Sequence, residues 1–162
     1  MEQHHAANAK SKANHGIIMP GNEDMDIPVR FARCCSPVPG DDIVGYITRG
    51  RGVTIHKAEC VNAINGEKER QIDVAWADTD VGSFAASIKV VAYDHVSLLG
   101  EIATYIGEMN VPIKAVSAQA EDKTKTSTIK LVLEVRSRDQ MDKVIKQLRK
   151  KSDIIDVYRT QG

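Results

Sequence analysis

Two adjacent cysteines, Cys34 and Cys35, are followed some twenty residues later by His56-x-x-x-Cys60. These are all 3 cysteines of the chain, with one of its 5 histidines a helical turn from the last of them. Thiolate and imidazole make a soft-to-borderline ligand set, the kind that holds zinc tetrahedrally at about 2.0–2.3 Å. Four protein ligands leave no open coordination position, so such a site would be structural rather than catalytic. The alternative is a metal-free fold with two buried thiols, one surface thiol and a histidine at a strand end. Neighbouring residues of a strand face opposite ways, so both cysteines reach one ion only where the backbone bends. Pro37 and Pro39, just beyond them, are the sequence's reason to expect a bend.

The totals narrow the classes. With 162 residues the chain is one average domain or two small ones. Hydrophobic residues make up 42% but aromatic residues only 4%, so the core must be built from Val, Ile, Leu and Ala. The 22 basic and 22 acidic residues cancel, which removes a global electrostatic grip on nucleic acid but leaves local patches. No apolar run approaches the ~20 residues that cross a bilayer, so no membrane partner is expected. The first residues lack the apolar centre of a secretory signal. An odd number of cysteines, two of them adjacent, fits a disulfide framework poorly, and the chain reads as cytoplasmic with reduced thiols.

Elements must position the ligand set. Residues 1–15 carry no hydrophobic periodicity and are expected to be a disordered tail; 16–82 form a small, β-rich, zinc-finger-like domain, and 83–162 a second domain. A short apolar island spans 16–21. Val29 to Ala32 reads as a strand leading into the cysteine pair. Ile43 to Thr48 and Val53 to His56 are β-rich segments around Arg49-Gly50-Arg51-Gly52, a hairpin signature. One or two helical turns over 57–64 would bring Cys60 to the side of His56. Ile72, Val74 and Trp76 alternate as a further strand, and the polar stretch 78–83 marks the boundary.

The second half has a clearer rhythm. Ile88, Val90 and Ala92 alternate as a strand. Leu99, Ile102, Ile106 and Met109 give a helix over 97–110, with Asp94 or Ser97 as its cap and Pro112 as its stop. A weaker strand covers 113–120, and Ile129, Leu131, Leu133 and Val135 form the cleanest alternation. Met141, Val144, Ile145 and Leu148 mark a second helix, with Lys150 and Lys151 at its end as the helix dipole prefers. Ile154 to Tyr158 is the last strand. The fold class is α+β, with a ferredoxin-like βαββαβ second domain. Both helices on one face of the sheet leave the other face free to pair with a second copy.

The run from Phe31 to His56, with Cys-Cys-Ser-Pro-Val-Pro-Gly-Asp and Gly-Arg-Gly-Val, closely resembles the zinc-finger region of long RelA/SpoT-family proteins. Those are the GTP pyrophosphokinases of the bacterial stringent response. Cys60, Arg70 and Trp76 also fall where that family has them, and the second half resembles its ACT domain. The likeness extends from Gly16 to Arg159. It implies a regulatory C-terminal module that senses translation through ribosomal RNA and A-site tRNA, without the hydrolase, synthetase and TGS domains that lie upstream in the family. It also implies that the chain makes no (p)ppGpp itself. An ACT domain of this family can form a homodimer or bind a branched-chain amino acid.

For RNA contact the candidates are Arg30, Arg33, Arg49, Arg51 and Lys57, whose guanidinium and ammonium groups suit phosphate oxygens. Between 27 and 80 there are 7 basic and 8 acidic residues, so contact must come from geometry rather than bulk charge. The plain alternative for 49–52 is a hairpin loop. Lys143, Lys146, Arg149, Lys150 and Lys151 read first as a solvated helix face, with RNA contact the lesser reading. Asp94-His95-Val96-Ser97-Leu98 occupies the first strand–helix loop, where many ACT domains carry Asp-Arg-x-Gly-Leu; Asp94, Ser97, Leu98 and Asn110 are the candidate ligand contacts. Ser97 brings a Cβ where glycine would admit a ligand. Three function classes remain: an RNA-binding regulatory module, an amino-acid sensor with the zinc domain as structural appendage, and, least supported, a thiol–imidazole enzyme.

Overall fold

The computed structural model describes residues 16–21, 27–50, 52–77 and 82–160; the expected tail at 1–15 and the candidate Arg51 lie outside them. The chain divides into two compact units, one ending at Gly82 and the other running from Ser83 to Thr160.

In the first unit, β1 (Ile17–Ile18), β2 (Val29–Phe31), β3 (Ile43–Ile47), β4 (Val53–Lys57), α1 (Val61–Ile64), β5 (Gln71–Ile72) and β6 (Ala75–Trp76) follow in order. Four of them make a sheet in the order β2-β4-β3-β5. β3 and β4 form the expected hairpin, closed by Thr48, whose backbone N–H and hydroxyl both engage Gly52 at 2.8 and 3.2 Å. β2 joins β4 in parallel, matching Val29 with Val53 and Phe31 with Ile55. Alternation along β4 then sorts its residues by face. Val53 and Ile55 are buried with Ile17 and Met19, and Phe31, Ile72 and Trp76 pack against them. His56 points the other way, directly across from Val44.

The alternation of Ile72, Val74 and Trp76 is not one strand. Gln71–Ile72 pairs with β3, whereas Ala75–Trp76 pairs with β1 in a separate two-stranded sheet. The apolar residues do share one core, which is why their period of two looks continuous, but the hydrogen-bonding partner changes at Asp73–Val74. Gly45 lies at the centre of this packing: a Cβ there would sit 2.9 Å from methyl carbons of Ile72, Val53 and Val74. Overpacking of that kind costs about 1–3 kcal/mol. Gly45→Ala is therefore expected to lower the first unit's denaturation midpoint, and an unchanged midpoint would mean that the core opens freely there.

The second unit runs β7 (Phe84–Tyr93), α2 (Leu98–Glu108), β8 (Ile113–Glu121), β9 (Thr126–Val135), α3 (Arg138–Arg149), β10 (Ile154–Arg159). Its sheet order, β10-β7-β9-β8 with every pair antiparallel, is the ferredoxin-like arrangement. The core is aliphatic, as composition required: Ile88 and Val90 of β7, Ile129, Leu131 and Leu133 of β9, and Met141, Val144 and Leu148 of α3 are all at most 1% exposed. α2 buries Leu98, Ile102 and Ile106 at intervals of four, and Leu99 is 42% exposed, so the apolar stripe begins one residue earlier than the sequence pattern suggests. Ser97 precedes α2 without a side-chain cap bond, whereas Ser137 caps α3 by accepting from the Gln140 N–H at 3.2 Å. Asn110 ends α2 in the left-handed region, at φ 59°, two residues before Pro112.

Candidate metal centre

The two cysteines follow β2 in a tight turn. The Ser36 N–H reaches back to the Ala32 carbonyl at 2.9 Å, and Ser36 itself has φ 47°. That turn, rather than the prolines after it, removes the strand alternation and lets Cys34 and Cys35 face the same side. The Ala32 N–H bonds the Ile55 carbonyl at 2.9 Å, so the turn is registered against β4 one residue before His56. Cys60 stands at the entrance to α1, its carbonyl accepting from the N–H groups of Ala63 and Ile64 at 2.9 Å. Tyr46, on the same face of β3 as Val44, meets the His56 ring edge-on at 5.8 Å and donates its hydroxyl proton to the Ala63 carbonyl. One side chain thus props both the histidine and the short helix that carries Cys60.

The four side chains converge. Cys34 Sγ is 3.4 Å from His56 Nδ1, 3.6 Å from Cys60 Sγ and 4.0 Å from Cys35 Sγ; Cys35 Sγ is 3.8 Å from the same nitrogen. All four ligand atoms lie within 4.8 Å of one another. A tetrahedral ion with sulfur at about 2.3 Å and nitrogen at about 2.05 Å requires S···S separations near 3.8 Å and S···N separations near 3.6 Å. These four separations match edges of such a tetrahedron to within a few tenths of an ångström, and the remaining two are no longer than 4.8 Å. The site can therefore accept a four-coordinate thiophilic cation through Nδ1 and three sulfurs with little movement.

The electrostatics of the cluster are compatible with a cation. Burial is the main force on Cys35, followed by the opposing Lys57 N–H, which donates to its sulfur at 3.3 Å; the Cys34 and Cys60 thiols beside it add to burial, and the group is pushed up to about 12. Burial also raises Cys60, but the N–H groups of Asn62 and Ala63 and the two other thiols more than offset it, leaving Cys60 below its ordinary value. Burial lowers His56, keeping its imidazole in the neutral, ligating form. Three sulfurs cannot all ionise side by side without a cation between them.

Asp41 is a residue that sequence reasoning missed. It is 4% exposed, and its carboxylate accepts the Val38 N–H at 2.9 Å. Its carbonyl accepts the Trp76 indole N–H at 3.0 Å, and the Phe31 and Trp76 rings stack at 5.8 Å. Asp41 holds the Pro-rich loop behind the cysteine turn. Asp three residues after a loop valine, in a Pro-x-Pro-Gly-Asp string, was the available signal.

The basic candidates separate into two groups. Arg30 and Arg49 are exposed near the hairpin loop, where Arg30, Thr48, Gly50, Gly52 and Thr54 line an open depression. Arg33 is exposed on the cysteine turn, at the other end of β2. Lys57, at the far end of β4, is bound to Glu59 at 2.9 Å. In the second unit Arg149 is not merely solvated: its Nη2 donates to the Val157 carbonyl at 2.6 Å, and Lys151 Nζ lies 3.9 Å from the centre of the Tyr105 ring.

The small-ligand candidates do not meet in one protomer. Asp94, Ser97 and Leu98 stand at the start of α2 and Asn110 beyond its end, about 18 Å away at 1.5 Å per residue. Leu98 is 3% exposed, its side chain given to the core. His95 ties the loop down: its Nε2 is 2.8 Å from an Asp153 oxygen and 3.7 Å from one of Glu101. The bond to His95 holds the Asp153 carboxyl below the usual range.

A small mixed sheet carrying a Cys₃His cluster, followed by a ferredoxin-like βαββαβ unit, defines a two-domain α+β protein. Two family models divide the chain in the same way: the RelA/SpoT RIS domain matches residues 17–77 and the ACT domain residues 80–159. The chain belongs to the RelA/SpoT family, as a RIS domain followed by an ACT domain. It is 34% identical over 152 residues to a GTP pyrophosphokinase of Streptomyces coelicolor, a match of 93% of this chain and 18% of that protein. Against the GTP pyrophosphokinase of Escherichia coli K12 it is 31% identical over 156 residues, 94% of this chain and 21% of the other. The chain thus spans about a fifth of the length of these curated relatives, corresponding to their C-terminal part. The crystal structure of the ACT domain from the Chlorobium tepidum GTP pyrophosphokinase aligns with 48% of this chain and 97% of its own, at 25% identity and a TM-score of 0.43. Within these 162 residues the two domains leave no stretch long enough for a synthetase or hydrolase domain. No described helix is long and apolar enough to cross a membrane.

Proposed function

We propose that this chain is the sensing module of a stringent-response GTP pyrophosphokinase, in which a zinc-stapled RIS domain docks on ribosomal RNA and A-site tRNA and the ACT domain conveys regulation. The observation that carries the reading is the RIS–ACT pairing over 17–159, with the four ligand atoms at tetrahedral spacing in the RIS domain. The zinc is structural: Cys34, Cys35, His56 and Cys60 occupy all four positions and leave none for substrate. With no net charge on the chain, docking rests on shape and on a few arginines. Arg30 and Arg49 at the hairpin-loop end suit phosphate oxygens best, because Lys57 already has a carboxylate partner.

Co-sedimentation of the chain with ribosomes carrying uncharged A-site tRNA tests this. Binding is expected, and Arg30→Ala/Arg49→Ala should weaken it while flattening its salt dependence by roughly one to two units of log–log slope. Absence of the wild-type chain from the ribosome pellet would reject the docking role.

A second reading has one observation in its favour: Val96 and Leu99, flanking Ser97 and Leu98, are exposed, offering apolar surface at the ACT ligand loop. In that reading a homodimer of the ACT domain captures a branched-chain amino acid, a second copy supplying the Asn110 that one protomer holds too far away. Calorimetry with valine and isoleucine would give measurable heat at millimolar ligand, lost in Ser97→Trp; silence would retire the idea.

A further inference from the structure

We propose that Cys34 and Cys60 are a site of oxidative modification, closing to a disulfide on exposure to a hydroperoxide and thereby dismantling the metal centre. The inference rests on the zinc reading above for its consequence, though not for the bond itself. Every cysteine of the chain is in this cluster, so no other thiol competes for oxidant.

Geometry selects the pair. Cys34 and Cys60 sulfurs are 3.6 Å apart, and each residue sits in a turn or at a helix entrance rather than within a strand. A disulfide needs about 2.05 Å, so the sulfurs must close by roughly 1.5 Å, within the reach of side-chain rotation. Cys34 and Cys35 are excluded although their sulfurs are 4.0 Å apart. Adjacent Cα atoms are about 3.8 Å apart across a trans peptide, below the 4.4–6.8 Å that disulfides span. Cys35 is also held, 3% exposed, with its sulfur accepting the Lys57 N–H at 3.3 Å. Cys34 is only partly buried, so it is the sulfur that a small peroxide reaches first.

The chemistry balances with one equivalent of oxidant. The Cys34 thiolate attacks the O–O bond of hydrogen peroxide, forming an S–O bond; hydroxide leaves and takes a proton to become water. The Cys60 sulfur then attacks the Cys34 sulfur, the S–O bond breaks, and the departing hydroxide is protonated to a second water. Two thiolates, one peroxide and two protons give one disulfide and two waters, with two electrons passing from sulfur to oxygen. Closure leaves Cys35 and His56 as the remaining donors, two where a closed structural site needs four. The disulfide joins the turn after β2 to the entrance of α1, so the oxidised domain stays cross-linked where the ion had joined it. Peroxide would thus alter the same lobe that docks on RNA.

The test uses the zinc-loaded full chain, with zinc measured by elemental analysis before oxidant is added. Hydrogen peroxide is titrated in the presence of a chromophoric zinc chelator, and peptides are mapped by mass spectrometry. One zinc released per Cys34–Cys60 cross-link, restored by thiol reductant and zinc, is the expected result. Cys34→Ser should abolish the cross-link and Cys35→Ser should keep it. Zinc release with only sulfinate or sulfonate products, or a cross-link involving Cys35, would overturn the proposal. A chain that holds no zinc before oxidant fails the zinc reading instead, and the peptide map of that metal-free chain still decides whether Cys34 and Cys60 pair.

Discussion

Stripping the ion with a strong chelator is expected to unfold residues 16–82 while leaving the ACT unit's melting transition in place. The expected effect is the largest available in this molecule, because structural zinc in small domains contributes about 10–16 kcal/mol of binding that is also folding free energy. The first unit has little else to resist with. Among the described residues its strands are two to five residues long and its α-helix has four, and apart from Val38 its buried apolar side chains fall into two small clusters. One of those clusters is built around two of the candidate ligands, Cys35 and Cys60, with Ala32, Val44 and Ala63, and Cys34 packs against it. Cys60→Ala should behave like chelation, since it removes one ligand and the sulfur that the α1 N–H groups support. Acid should do the same gradually. With the ion absent, the Cys35 thiol is pushed up to about 12 and is protonated at neutral pH. Ion capture therefore expels a proton, and affinity falls as pH falls. Elemental analysis and two-transition calorimetry provide the check. A chain that holds less than half an equivalent of zinc yet shows both transitions would eliminate the staple.

Leu131→Ala is expected to destabilise the second unit by about 2–5 kcal/mol while leaving zinc content unchanged. Leu131 is fully buried at the middle of β9, a strand paired along its length with both β7 and β8. Its removal opens a cavity in the aliphatic core of the second unit, where Ile102, Ile106 and Met141 are likewise 0–1% exposed. For a unit of this size each kcal/mol moves the melting temperature by about 4–8 °C. Val116→Ala is the contrast, since Val116 is 45% exposed on the edge strand β8 and should change stability by no more than about 0.5 kcal/mol. Equal losses from both variants would mean that the outer strand is as buried in solution as the core. Loss of zinc from Leu131→Ala would contradict the separate stability of the two units.

Legibility varied along the chain for physical reasons. β9 was plain because a strand with one buried face writes its burial as strict alternation, Ile129, Leu131, Leu133, Val135. The α2 stripe was misaligned because Leu98 and Leu99 are chemically identical, and only docking on the sheet chooses between them. The segment 71–76 looked like one strand because its apolar residues enter one core; its change of pairing partner leaves no local trace. Asn110 was grouped with the ACT loop by likeness, but one helix length separates them, and its φ of 59° shows it ending α2.

The sequence by itself determined the donor chemistry, three sulfurs and one imidazole at a spacing suited to a thiophilic cation, and the aliphatic rhythm of a βαββαβ sheet. Residue type and period are local properties, and they survive in a linear string. Only the tertiary structure decided that the four donors converge. That depends on β2 aligning in parallel with β4, on the turn at Ser36 that cancels strand alternation, and on Tyr46 propping His56 and α1 together. The strand pairing and the Tyr46 contacts join residues far apart along the chain, so the contact energy that selects them is absent from any window of neighbouring residues. The local turn at Ser36 carries no residue type that marks it in advance.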